Sequence, residues 1–163
     1  MNRIALSGFC LCFIVCITIF STRVSHAAND YIVAPSGGDI TGKQLSDKLA
    51  KGDVTLESSR GGTAGAGDVI INDIVTWTAN NKLTLTASNN VKINTSIHAN
   101  GNSAGVVINH KTKNGGEPAN VNGTYQLNGA SITLSGDAPT ITIAGEVYTV
   151  INALGKAGDE TKN

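Results

Sequence analysis

KLTLTASNNVKINTSIHANG, residues 82–101, alternates apolar and polar side chains and is interrupted at Asn89-Asn90 and again at Asn100-Gly101. Alternation of period two marks a strand with one buried face, and paired asparagines provide the turn conformations that end it. Most of the chain has this texture. Val54/Leu56, Val69/Ile71, Leu83/Leu85/Ala87, Val91/Ile93, Val106/Ile108, Tyr125/Leu127, Ile132/Leu134, Ile141/Ile143 and Val147/Thr149/Ile151 each place apolar or neutral groups on one side, separated by Gly, Asn, Ser and Asp. One stretch reads differently: ITGKQLSDKLAKGD, residues 40–53, has helical spacing. Thr41 as N-cap and Gln44 three residues on make a capping box, Ile40 and Leu45 a hydrophobic staple, and Gly52 the stop. VINALG, residues 150–155, suggests a second short helical turn, and 159–163 a frayed tail.

The N-terminus belongs to a different category. Arg3 precedes an apolar run, Ile4 to Phe20, which ends in a small-x-small site at Ser25-His26-Ala27. This is the pattern of a secretory signal peptide over residues 1–27; a membrane anchor is the rival reading, disfavoured by the cleavage-type ending. The exported chain then starts at Ala28, with no stable membrane anchor. Cys10, Cys12 and Cys16 all lie in the removed run and none follows the Gly or Ala that precedes a lipid-attachment cysteine. Neither disulfides nor Cys-bound metal therefore hold the exported domain; burial and backbone pairing must.

Charge narrows the function classes. The whole chain carries 12 basic and 12 acidic residues. Losing Arg3 and Arg23 leaves a slightly acidic domain in which Arg60 is the only arginine, so no basic footprint for nucleic acid survives. Residues 28–39 read as a polar lead and 40–158 as one domain. With aromatic residues at 4% and 19 glycines, its core must stack small and branched side chains rather than large rings.

Many short strands can build a sandwich, a barrel or a solenoid. Two features favour an all-β solenoid, a right-handed parallel β-helix, over an antiparallel β-sandwich. Gly52-Asp53-Val54-Thr55-Leu56 is echoed by Gly67-Asp68-Val69-Ile70-Ile71, and asparagines at corners can hydrogen-bond from one coil to the next. At about 20 residues per coil and about 4.8 Å per coil, the strand region would form roughly five coils. The short helix near the N-terminus and the turn at 150–155 then read as caps on exposed ends. Leu85, Ile93, Ile108, Leu134 and Ile143 are expected to point inward, and Thr84, Lys92 and Thr133 outward.

GDVIINDIVTWTANNKLTLTASNNVKINTSIHANG, then AGVVIN, then TYQLNGASITLSGDAPTITIAGEVYTVINALGKAG resemble one internal module of the filamentous haemagglutinin-like exoproteins, the bacterial adhesins of two-partner secretion. The resemblance spans about residues 40–158 and lies in strand texture and in the Tyr148-Thr149-Val150-Ile151-Asn152 ending. It implies a parallel β-helix, export from a Gram-negative cell, an outer-membrane secretion partner, and attachment to host or bacterial surface glycans or proteins. It transfers no catalytic, cofactor-binding or metal-binding residue. A periplasmic structural or accessory protein is the alternative.

The residues that could do chemistry read more plainly as structure. Gly61–Asp68 is similar to a calcium-binding glycine repeat, but Ala66 stands where that repeat needs glycine, and a flexible loop entering a strand fits better. His98 and His110 lack second ligands at metal spacing and read as exposed loop residues. Asn94-Thr95-Ser96 and Asn122-Gly123-Thr124 match the glycosylation sequon, as chance allows in so Asn- and Thr-rich a chain. Trp77, alternating with Val75, reads as a packing residue rather than a sugar platform. A polysaccharide-cleaving β-helix enzyme would need paired carboxylates in a cleft, whereas Asp53, Asp68 and Asp73 border strands, where aspartate commonly serves turns. The sequence therefore points to an exported adhesive or structural module without catalysis.

Overall fold

The computed structural model describes residues 28–111 and 123–149. The chain opens with β1 (Ala28–Val33), α1 (Gly42–Leu49), β2 (Val54–Glu57), a 3-10 turn at Ser58–Arg60 and the short β3 (Thr63–Gly65). Three tiers of three strands follow. The first tier is β4 (Val69–Ile71), β5 (Val75–Trp77) and β6 (Lys82–Thr86). The second is β7 (Val91–Ile93), β8 (Ile97–Ala99) and β9 (Gly105–Asn109). The third is β10 (Tyr125–Leu127), β11 (Ile132–Leu134) and β12 (Thr140–Ile143), after which β13 (Glu146–Thr149) turns back.

Each tier gives one strand to each of three sheets, in the orders β3-β1-β4-β7-β10, β5-β8-β11 and β2-β6-β9-β12-β13. Every tier-to-tier pair is parallel. Only the outermost pairs, β1 with β3 and β12 with β13, are antiparallel. The protein is thus mostly β, built on parallel sheets with one helix. The hairpin between 83–87 and 91–97 that an antiparallel sandwich needs is absent: β6 pairs with β2 and β9, and β7 with β4 and β10.

Parallel register stacks like on like. Val69 lies beside Val91 and that beside Tyr125; Ile71 beside Ile93 and Leu127; Leu85 beside Leu56 and Ile108. Tyr125 and Leu127 in the last tier are exposed, whereas Ile71, Leu83, Leu85, Ile93, Ile97 and Ile108 are fully buried in a common core. Trp77 and Val75 belong to it, as packing residues. Leu85, Ile93 and Ile108 are inward as the alternation requires, while Leu134 and Ile143, in the last tier, pack against the core but are only half-buried. Thr133 is exposed, whereas Thr84 and Lys92, on the outer faces, are partly shielded by neighbouring strands.

The helix takes the place that a middle-sheet strand takes in later tiers, between β1 and β2, and lies on β5. Its capping box forms as its sequence dictates: Gln44 N donates to Thr41 Oγ1 at 3.1 Å and Thr41 N to Gln44 Oε1 at 3.0 Å. Leu45 and Leu49 are fully buried beneath it. Ser46 Oγ accepts the otherwise unpaired Thr76 N–H of the β5 edge, and Leu49 O accepts from Asn81 Nδ2 at 2.6 Å. The edge of the middle sheet is thereby closed.

Several expectations need correction. Residues 28–39 are not merely a polar lead: β1 occupies 28–33 and pairs on both sides, because Tyr31 and Val33 continue the inward alternation beside Val69 and Ile71. The echo of 52–56 in 67–71 is not the structural repeat, since β2 and β4 lie in different sheets. The repeat is 22 or 23 residues from first to second tier and 34 or 35 from second to third. Among the described residues three tiers are complete. Residues 61–68 supply β3 instead of only a flexible loop. The signal peptide, the turn at 150–155 and the tail lie outside the described residues.

Leu85→Ala should lower unfolding free energy by about 2–5 kcal/mol, since a fully buried leucine leaves a cavity that its stacked neighbours cannot fill. Leu134→Ala, half-buried in the last tier, should lose clearly less, and Thr133→Ala almost nothing. Denaturant titration of the three variants tests the register.

Candidate functional site: polar corners, outer faces and a cleft

The corners between strands are held by side chains one tier apart. After the first strand of each tier stand Asn72, Asn94 and Asn128. Asn94 Nδ2 donates to Asn72 Oδ1 and Asn128 Nδ2 to Asn94 Oδ1, each at 2.6 Å. Parallel stacking with equivalent corners produces such a ladder directly. Further corners pair Ser58 with Ser88, Ser96 with Ser131, and Asn100 with Ser135. Asn94, the acceptor in the first glycosylation sequon, has its amide committed to this ladder. Asn122 of the second sequon lies outside the described residues.

The aspartates considered as possible acid–base groups serve backbone N–H groups of other segments. Asp53 accepts from Lys82 N at 2.8 Å. Asp73 accepts from Gly42 N at the start of α1, where a carboxylate complements the helix dipole, and from Ile74 N. Two more do likewise: Asp30 accepts from Gly67 and Asp68 N, and Asp39 from Ile32 and Gly62 N. The glycine-rich segment thus wraps its amides around protein carboxylates. Gly61 is required there, because any Cβ would strike the Asp30 carbonyl.

Among the described residues Asp68 is the one buried acid, with 1% of its surface exposed. It accepts from Asn90 N at 2.9 Å and from the side-chain amides of Asn89 and Asn90, and it pairs with Lys92. Burial alone raises its pKa, but the Lys92 ammonium and the Asn90 and Asn89 donors outweigh that and hold it below the usual aspartate value. Asp68 therefore binds the Asn89-Asn90 corner and β7 to the first tier. Sequence spacing alone could not show this, because Lys92 and Asp68 meet only across a tier.

His98 and His110 are not the exposed loop residues that their surroundings suggest. His98 is in β8, half-buried on the outer face between Thr76 and Thr133. His110 is also half-buried, and its ring stacks on Tyr125 with centroids 6.4 Å apart. Among the described residues no three His, Cys, Asp or Glu side chains converge as a metal site needs, and no helix is long and apolar enough to cross a membrane.

Two surfaces remain as candidates for binding. The outer faces present in-register rows: Thr55, Thr84, Val107 and Thr142 on the third sheet, and Thr76, His98 and Thr133 on the second. Beside α1, an open cleft of about 350 Å³ is lined by Tyr31, Asp39, Ile40, Gln44, Asp47 and Lys48. Burial, then the Asp39 charge, raise the Tyr31 pKa, keeping a neutral phenol on its wall. Comparison with protein families, curated proteins and solved structures finds no match, so no filamentous haemagglutinin relative is identified by these means.

Because the folded Asp68 pKa is depressed, its stabilisation is present above the ordinary aspartate range and is lost as pH falls through the lowered value. Unfolding free energy should fall below about pH 4, and Asp68→Ala should flatten that dependence and cost about 1.5–3 kcal/mol at neutral pH. Chemical denaturation at a series of pH values reads both effects.

Proposed function

We propose that this chain is a small exported haemagglutinin-like module, a right-handed parallel β-helix that serves attachment or scaffolding at a bacterial surface without turning over a substrate. The observation that carries this reading is the set of in-register outer rows. Thr55 and Thr84 are adjacent and Thr142 follows beyond Val107 along one outer face. Hydroxyl rows of this kind offer many weak, equivalent contacts to a glycan or a protein surface and need no pocket. Engagement of Asp53, Asp68 and Asp73 with backbone amides supports a non-catalytic role, since each carboxylate holds a corner rather than facing a partner carboxylate across a cleft.

So small a face gives weak affinity for each copy, and attachment then depends on many copies acting together. The exported domain, immobilised densely, should retain cells or glycan-coated beads that the dilute domain scarcely binds. Thr84→Lys with Thr142→Lys should reduce retention while leaving thermal unfolding nearly unchanged. Polysaccharide cleavage that Asp73→Asn abolishes in a folded protein would replace this reading with an enzymatic one. Protection of the chain from protease added to intact cells would place it in the periplasm as an accessory protein.

A further inference from the structure

On the side of β1 away from β4, strand pairing is interrupted. Residues 28–30 pair with β3 and Val33 bridges to Ile40, so Tyr31 and Ile32 fall between the two. Asp39 spans this gap: its Oδ2 accepts from Ile32 N at 2.7 Å and its Oδ1 from Gly62 N at 2.6 Å. Next to it lies α1, which buries Leu45 and Leu49 and leaves Gln44, Asp47 and Lys48 exposed. The open cleft of about 350 Å³ lies where these pieces meet.

Its surface is mixed rather than apolar. Tyr31 both packs against the core and lines the cleft, and with Ile40 it provides an apolar wall. Around that wall stand hydrogen-bonding groups of both senses. Gln44 Oε1 accepts from Thr41 N at 3.0 Å, which fixes the side chain and leaves its amide NH2 without a partner among the described residues. Asp47 Oδ2 accepts from Lys43 Nζ at 2.7 Å, and its other oxygen is open. Both Asp39 oxygens keep a second lone pair. The Lys48 ammonium forms no ion pair or hydrogen bond among the described residues. Tyr31 keeps its proton, since burial and then the Asp39 charge raise its pKa, so its hydroxyl can donate as well as accept.

This inventory selects a class of ligand. A strongly anionic molecule would meet the Asp39 and Asp47 carboxylates with one uncommitted ammonium to offset them. A wholly apolar one would leave donors and acceptors unpaired. A sugar ring satisfies both kinds of surface: each hydroxyl donates and accepts, and the C–H face of the ring packs on an aromatic or aliphatic wall. The volume lies near the lower end of the range of about 300–1,000 Å³ for small-molecule sites, which suits one or two rings.

We propose that this cleft binds a neutral pyranose residue of a glycan, with Tyr31 and Ile40 against the ring and Gln44, Asp47 and Lys48 on its hydroxyls. The assignment rests on the attachment reading for the glycan as the source of the sugar, and on the cleft alone for the chemistry. At ordinary binding energy per atom, a hexose here has a Kd of roughly 1–10 mM, so the site gains use from many copies.

Titration of the isotope-labelled exported domain with D-glucose, D-galactose, D-mannose and N-acetylglucosamine, followed by amide NMR shifts, tests this. At least one of these sugars should shift signals of residues 31 and 39–48 saturably, while glycerol and glucuronate at equal concentration should not. Gln44→Glu keeps the oxygen that Thr41 N–H needs, and with it the capping box, but removes the amide donor. It should weaken sugar binding about three- to tenfold with thermal unfolding unchanged. Lys48→Ala should act likewise, and Thr84→Lys with Thr142→Lys, on the outer face, should leave sugar binding intact. No saturable shift with any of these sugars, an equal response to glycerol or glucuronate, or undiminished binding by Gln44→Glu would overturn the assignment. Retention of cells by the immobilised domain is a separate readout. Retention without sugar binding removes the cleft and leaves the outer rows as the attachment surface, whereas sugar binding without retention keeps the cleft and removes the attachment reading.

Discussion

Parallel in-register pairing is the constraint from which the other features follow. It sets Val69 beside Val91, and Leu56 beside Leu85 and Ile108, so that an apolar side chain in the middle of a column is sealed by an equivalent one above and below. A chain with so few aromatic residues has no other means of filling a core. Isoleucine, leucine and valine in stacked columns pack at the tier spacing, and Leu83, Leu85, Ile93 and Ile97 lose all exposure as a result. The same register carries the corners into contact, which is why Asn72, Asn94 and Asn128 meet amide to carbonyl.

Polar groups in this protein act mainly between tiers. Asp30, Asp53, Asp68 and Asp73 each reach a backbone N–H at least 29 residues away or bind a corner of the next tier. Turns in a stacked fold leave backbone amides that no strand partner can satisfy, and short acidic side chains are well suited to accept from them. Asp68 shows how far this goes. Its burial is tolerated because Lys92 and three donors from Asn89 and Asn90 surround it, and removing any of them would strand a charge in the interior.

A stack of tiers has two ends, and ends are where such architecture is vulnerable to pairing with other chains. Here one end is met by an amphipathic helix whose cap, buried leucines and hydroxyl contact are all encoded within ten residues. At the other, β13 turns back and pairs antiparallel with β12. The outer faces between these ends carry in-register rows that include threonines, and an open cleft adjoins the helix. This arrangement suits contact spread over a surface, which is the basis of the adhesive or scaffolding role proposed for the chain.

The sequence by itself determined the local elements. Alternation located most of the strands, and the capping box located the helix, because both signals depend on neighbours within a few residues. It also marked Trp77 as core and the strand-border aspartates as turn residues. What lay beyond it was set by contacts across tiers. β1 was hidden in a polar lead, β8 was too short to show a period around His98, and the echo of 52–56 in 67–71 suggested a false repeat. The true spacing of 22 or 23 residues, lengthened to 34 or 35 between the second and third tiers, emerges only when strands choose partners. Tertiary structure alone decided that Asp68 is buried beside Lys92 and that Leu134 is half-exposed where Leu85 is sealed. Burial depends on which elements lie above a residue, and alternation within a strand does not reveal them.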